Sequence, residues 1–132
     1  MARSFRLEIL TPDRAFYRGE AEYAMLPLLD GMYGVLYGHE PVTAAIAAGL
    51  LRYQTADGWQ EAVVGQGFAE VRAQSVVVLV SSAEHPEEID RVRAQRALER
   101  AQEELRFHQS REEHLRSQAA MARALARLKA RK

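Results

Sequence analysis

The sequence predicts an all-β body of sandwich or flattened-barrel type followed by a C-terminal α-helical hairpin, and three observations predict it. Between Ser4 and Ser81, short apolar segments are separated by Gly, Pro and Asp turns at spacings of roughly 8–12 residues, the rhythm of packed antiparallel strands. Between Glu87 and Lys132 there is no glycine or proline, and the helix formers Ala, Arg, Glu and Leu dominate. The charges divide at the same place: 6 basic and 10 acidic residues precede His85, while 12 basic and 8 acidic residues follow it.

Phe5, Leu7 and Ile9 alternate with Arg6 and Glu8, which puts three apolar side chains on one face of a strand that Thr11-Pro12-Asp13 then stops. A brief Ala15-Phe16-Tyr17 segment meets Gly19, and Ala21 to Leu26 forms a further strand ending at Pro27. Asp30-Gly31, Gly34 and Gly38 confine Met32 to Tyr37 to a short strand between tight turns. Pro41–Ala47 and Leu50–Gln54 read as a hairpin about Gly49, and Asp57-Gly58 is a strong hairpin signal before Trp59–Val64. Gly65-Gln66-Gly67 turns the chain into Phe68–Arg72, after which Val76–Ser81 completes nine or ten strands. The run Val76-Val77-Val78-Leu79-Val80 does not alternate, which predicts a strand covered on both faces.

Ser81 to Pro86 is a linker, and Pro86 suits a position where a helix is about to begin. Glu87, Glu88 and Asp90 then place negative charge at the positive end of the helix dipole. Ala94, Ala97, Leu98, Ala101 and Leu105 share one helical stripe. The pattern breaks around Arg106–Gln109, and Ser110 with Glu113 has capping-box spacing, which predicts a second helix from Arg111 with Met121, Leu125 and Leu128 on one stripe. A stripe made mostly of alanine allows close packing but buries little area, so the hairpin must lean on the sandwich or on a partner. Such a marginal element is a candidate for two states, folded down or extended.

Several classes of chemistry lack their residues. The chain has no cysteine, no Gly-x-Ser-x-Gly, no Walker-type phosphate loop and no dinucleotide fingerprint, and none of its four histidines pairs with another at i, i+4. The longest apolar run, Ala44–Leu51, is far short of the ~20 residues of a membrane helix. The chain starts directly in strand pattern without a signal-peptide core, so cytosolic exposure is expected. The acidic residues of the tail interrupt every basic run and no stacking aromatics accompany them, which argues against nucleic acid. What remains is a row of guanidiniums: Arg93, Arg96 and Arg100 lie together beside the alanine stripe of the first helix, and Arg116, Arg123 and Arg127 share a stripe of the second. Two readings of these rows stand, a solvated face with i, i+4 ion pairs or a clamp for an anionic ligand or acidic protein surface.

One family unites these residues. Glu8-Ile9 with Thr11-Pro12, Gly19-Glu20, Pro27, Asp30-Gly31, Gly34-Val35-Leu36 with Gly38-His39 and Pro41, Gly49, Gly67-Phe68 with Glu70-Val71, Val78-Leu79 and Ala83-Glu84 occur in the order that resembles the epsilon subunit of bacterial F-type ATP synthases, over the whole chain. Tyr37 departs from the family's usual proline, and Gly65-Gln66-Gly67 from its commoner paired glycines. The resemblance implies a sandwich of two five-stranded sheets in residues 1–84 and a two-helix regulatory domain in 85–132. It implies a non-catalytic rotor subunit of the central stalk, peripheral on the cytoplasmic face of the bacterial plasma membrane, which binds the gamma subunit and the c-ring. Asp30, Gly31, Gly38 and His39 match the c-ring-facing loops. The hairpin is implied to lie folded or to extend into the alpha/beta catalytic head, where it inhibits ATP hydrolysis. No cofactor is required, but some members bind ATP as a regulatory ligand in the folded hairpin. The matching positions here are Glu84, Ile89, Asp90, Arg93, Ala94, Arg100, Arg123 and Arg127.

Overall fold

The alternation in the first strand is realised directly: β1 (Phe5–Leu10) buries Phe5, Leu7 and Ile9 and turns Arg6 and Leu10 outward. The computed structural model describes residues 3–106 and 111–130. β1 is followed by β2 (Ala15–Ala21), β3 (Tyr23–Leu28), β4 (Gly31–Val35), β5 (Val42–Ile46), β6 (Gly49–Thr55), β7 (Gly58–Val64), β8 (Gly67–Val71), β9 (Ser75–Val80) and the two-residue β10 (Ala83–Glu84). They form two five-stranded sheets, ordered β2-β1-β9-β8-β5 and β10-β7-β6-β3-β4. The strand pairs are antiparallel except β1 with β9, which run parallel with Leu7 opposite Val76. Between the sheets lies one apolar layer that includes Phe5, Leu7, Ile9, Leu26, Leu51, Val64, Val71, Val76 and Val78.

Four strand-level expectations are corrected. Pro41–Ala47 and Leu50–Gln54 are not a hairpin: β5 pairs with β8 in the first sheet and β6 with β7 and β3 in the second. Ala47 N–H donates to Pro27 O at 2.9 Å as the chain changes sheets, and a side chain on Gly49 would press on the Pro27 ring. Glycine between two strands signals close approach as readily as a turn. Next, Gly19 does not stop a strand; β2 runs through it with the Tyr17 ring lying over the bare Cα. Pro27 likewise lies within β3, where pairing with β6 has ceased after Met25, so the missing N–H costs no ladder bond on that side. Last, β9 is not covered on both faces: Val76, Val78 and Val80 are buried, but Leu79 is 54% exposed. By contrast, Asp57-Gly58 closes the β6–β7 hairpin as expected, with Gly58 at φ 108°.

The helical domain begins later than the composition predicts. Pro86–Glu88 forms a single 3-10 turn, Ile89 is extended (φ −84°, ψ 125°), and α1 spans Arg91–Arg106. Glu87 and Glu88 therefore sit outside the first turn of α1, which contains no acidic residue. Extended backbone at Ile89 turns its side chain into an apolar cluster with Val63 of β7, Ala94 of α1 and Ala126. α2 spans Arg111–Ala130 and packs antiparallel on α1 and across the outer face of β6 and β7. Its buried side chains are small, Ser117, Ala124 and Ala126, in keeping with the mostly alanine stripe expected, while Leu125 is exposed. Small side chains let α2 approach α1 and the sheet together, which a leucine stripe would prevent. The expected break at Arg106–Gln109 and the Ser110–Glu113 capping box lie outside the described residues or side chains.

Two outcomes follow from the sandwich. A Cβ on Gly67 would stand 1.9 Å from Leu79 O and 2.8 Å from Leu79 C, both backbone atoms that cannot swing aside. Gly67→Ala should therefore cost about 3 kcal/mol in urea unfolding, and a loss under 1 kcal/mol would contradict this packing. Burial, with lesser contributions from Tyr17 and Glu87, pushes the Tyr53 phenol from 10.0 up to about 12. The folded state then holds this proton more tightly than the unfolded chain, so its contribution is complete below pH 10.0 and is lost as pH rises to about 12. The urea midpoint should fall across that window, and Tyr53→Phe should flatten the fall.

Candidate functional site

Where the linker leaves β10, α1 starts and α2 ends, a cleft of about 590 Å³ opens. Its floor is Ile89 and Ala94, its α1 wall carries Arg93, Arg96 and Arg100, and its rim is closed by Glu84, Glu88, Asp90 and Arg127. The helical period explains the α1 wall: residues 93, 96 and 100 are three and four apart and stack on one face. Asp90 is the N-cap that fixes where this face begins. Its Oδ1 accepts the Arg93 N–H at 3.1 Å and its backbone carbonyl accepts the Ala94 N–H at 2.9 Å.

Opposite the arginine wall, Arg127 of α2 donates from Nε to Glu84 Oε1 at 3.0 Å, and its Nη2 donates to the same oxygen. Both side chains are only 27% exposed, so this ion pair between sandwich and hairpin is partly sheltered from water. Arg14 holds Glu88 at 3.5 Å. Arg93, Arg96 and Arg100, in contrast, make no ion pair with any described residue. The i, i+4 pair of Arg100 with Glu104 expected of a solvated face is not formed; the Glu104 carboxylate accepts the Ser117 hydroxyl at 2.9 Å instead. Three unpaired guanidiniums facing an open cleft are suited to an anion with several oxygens, which their planar forks can grip in pairs.

Seven of the eight sequence-identified ligand positions, Glu84, Ile89, Asp90, Arg93, Ala94, Arg100 and Arg127, line this one cleft. Arg123 is not among its lining residues; it is half-buried on α2, one turn before Arg127. Sequence reasoning had Arg96 in the cationic row but did not assign it, or Glu88, to the site. The spacing of Arg96 from Arg93 and Arg100 was the available signal for the first; the 3-10 turn that swings Glu88 to the rim had none.

The four loop residues fall at the two ends of β4. Asp30-Gly31 forms its turn from β3, with Gly31 at φ 132° and Leu29 beside it 90% exposed. Gly38, at φ 83°, donates its N–H to Ala73 O at 2.7 Å, and His39 is held by Tyr33, Oη to Nε2 at 2.8 Å. A third feature was not anticipated. On the outer face of the first sheet, Ala45, Phe68, Leu79 and Leu10 stand opposite one another across β5, β8, β9 and β1, with Phe68 62% exposed. The non-alternating run at Val76–Val80 was its trace in the sequence. Among the described residues no group of acidic and histidine side chains is placed to hold a metal ion, and no helix is long and apolar enough to cross a membrane.

Residues 4–86 match the family described as ATP synthase, Delta/Epsilon chain, beta-sandwich domain, and residues 87–132 match its long alpha-helix domain. The ATP synthase epsilon chain of Ruminiclostridium cellulolyticum is 48% identical over 127 residues, covering 96% of this chain and 95% of that one. That of Caldanaerobacter subterraneus subsp. tengcongensis is 47% identical over 130 residues, with 98% and 94% covered. Among solved structures, a chain of the Euglena gracilis mitochondrial ATP synthase, in its OSCP/F1/c-ring structure, superposes with a TM-score of 0.79 at 24% identity, over 90% of this chain and 76% of that one. A chain from the central stalk/c-ring structure of Tetrahymena thermophila mitochondrial ATP synthase gives 0.66 at 10% identity, with 98% of each covered. At those identities the two structures speak for the fold. With both domains matched in order and bacterial epsilon chains nearly half identical over almost its full length, the chain belongs to the ATP synthase delta/epsilon chain family.

Proposed function

We propose that the chain is a non-catalytic rotor subunit of a bacterial F-type ATP synthase, peripheral on the cytoplasmic face of the plasma membrane. Its sandwich binds the gamma subunit and the c-ring, and its hairpin regulates ATP hydrolysis by exchanging a folded position for one extended into the alpha/beta head. ATP is the regulatory ligand of the folded position. The observation that carries this reading is the cleft itself. It is built from both the linker and the two helices, so it exists only while the hairpin is folded, and its three arginines, paired with no described acid, suit an anion.

Energetically the switch is plausible on a small scale. The hairpin meets the sheet through Val63, Ile89, Ala94 and Ala126, with Leu50, Leu128 and Ala130 at the margin. A ligand that binds only the folded state at 100 times its Kd adds about 2.7 kcal/mol, comparable with burying one large apolar side chain. Arg93, Arg96 and Arg100 would take the phosphates, while Glu84 would exchange its ion pair with Arg127 for the ligand. Calorimetry of the intact chain with ATP should give a binding heat, and Arg93→Ala and Arg100→Ala should each weaken it about tenfold, the loss of one charge-assisted bond. No heat with the unaltered chain would end the ATP reading.

The exposed row of Phe68 and Leu79 supports sandwich docking, since an apolar strip crossing four strands is the kind of surface a partner covers. Phe68→Glu and Leu79→Glu should leave the circular dichroism spectrum unchanged but abolish capture of the gamma subunit. Removing residues 87–132 should leave that capture intact. Capture that survives both charged substitutions would rule out this face as the docking surface.

A further inference from the structure

The linker between sandwich and hairpin is gripped along most of its length. Ala83 and Glu84 pair with Val64 and Val63 of β7. Arg14, in the turn between β1 and β2, donates from Nη2 to Ala83 O at 3.1 Å and reaches Glu88 at 3.5 Å. The same guanidinium stands 5.5 Å over the Phe16 ring. On Phe16, at the start of β2, the His85 ring is stacked with centroids 4.1 Å apart and planes inclined by 30°. His85 Nε2 lies 4.0 Å from Glu88, so this carboxylate faces both Arg14 and His85. The 3-10 turn then binds the rest: Glu88 N–H donates to His85 O at 2.9 Å and Ile89 N–H to Pro86 O at 3.2 Å.

At the next residue the direction of bonding reverses. Asp90 bonds forward, to the backbone N–H groups of Arg93 and Ala94, as the first residue of the helical unit. Ile89 therefore stands between the clamped turn and the helical unit in extended backbone, where rotation about φ and ψ redirects everything that follows; the Glu84–Arg127 ion pair also ties the two and must open as they part. Its side chain, 3% exposed, is the plug they share, set between Val63 of the sandwich and Ala94 and Ala126 of the hairpin.

We infer that the hairpin pivots at Ile89–Asp90, and that Ala83–Glu88 remains on the sandwich as its last element, clamped by Arg14 and Phe16. This rests on the proposed detachment of the hairpin. The clamp gives detachment a fixed fulcrum: the helices leave as a unit while the ring stack and β10 stay in place. A pivot before Ala83 would instead strip β10 from β7 and leave the β7 edge bare.

NMR of the full chain tests this with the hairpin lifted by Ala126→Asp, which buries a charge in the shared contact, and by the milder Leu128→Asp at its margin. The His85 ring resonances report the stack on Phe16 through its ring current, and the Ile89 methyls and α1 amides report docking. The expected result is a change at Ile89 and throughout α1 with the His85 ring shifts retained. Adding Phe16→Leu and Arg14→Ala should then make His85 and Glu88 move with the helices. If the His85 shifts are lost on lifting in the otherwise unaltered chain, the pivot lies upstream and the inference is overturned, although detachment stands. If neither substitution moves the Ile89 or α1 resonances, the hairpin does not detach, and the proposed switch falls together with its pivot.

Discussion

The whole helical domain depends on one small apolar contact, in which Val63 on the outer face of β7 meets Ile89, Ala94 and Ala126. The next residue, Val64, points the other way into the layer between the sheets, so β7 belongs to both contacts at once. The two differ greatly in size. The inner layer collects large side chains from nearly every strand, whereas the outer contact is built mainly from alanines and single branched residues. Local stability follows the apolar area that opening would expose, so the helices can loosen without any cost to the inner layer. A docking contact of this kind suits reversible attachment better than permanent burial.

Electrostatics reinforce the contact at one point and leave another unsatisfied. Glu84 and Arg127 join the acidic sandwich to the basic tail, and their partial burial makes the pair less sensitive to salt than an exposed one. The sandwich supplies no comparable partner for Arg93, Arg96 and Arg100, although it carries 10 of the chain's 18 acidic residues. Mutual repulsion along this wall favours whatever brings negative charge to it.

Much of this was legible in the sequence because it depends on local signals. Period-2 alternation identified β1, Asp57-Gly58 identified the β6–β7 hairpin, and the absence of glycine and proline after Glu87 marked the helices. What was not legible depends on contacts far apart in the chain. Nothing near Gly49 distinguishes a hairpin from a change of sheet, because the deciding partners are Pro27 and β8. Val76–Val80 reads as buried on both faces because an exposed apolar strip and a core face carry the same residue types. For the cleft, helical spacing placed Arg93, Arg96 and Arg100 together, but the meeting of Glu84 with Arg127 required the resemblance. Arg123 shares a helical stripe with Arg127 yet is not among the cleft's lining residues.

The parallel pairing of β1 with β9 bears on how the chain is made as well as how it stands. β1 is flanked by β2 on one side, available within a few residues, and on the other by a strand about 70 residues later. A chain emerging from the ribosome must hold its first sheet open until Val80 has appeared, and only then can the inner layer close. By that time β6 and β7 are already exposed, and the helices have yet to emerge. The docking surface is therefore finished before the element it receives, so the hairpin meets a completed sandwich from its first moment, as a late and removable addition.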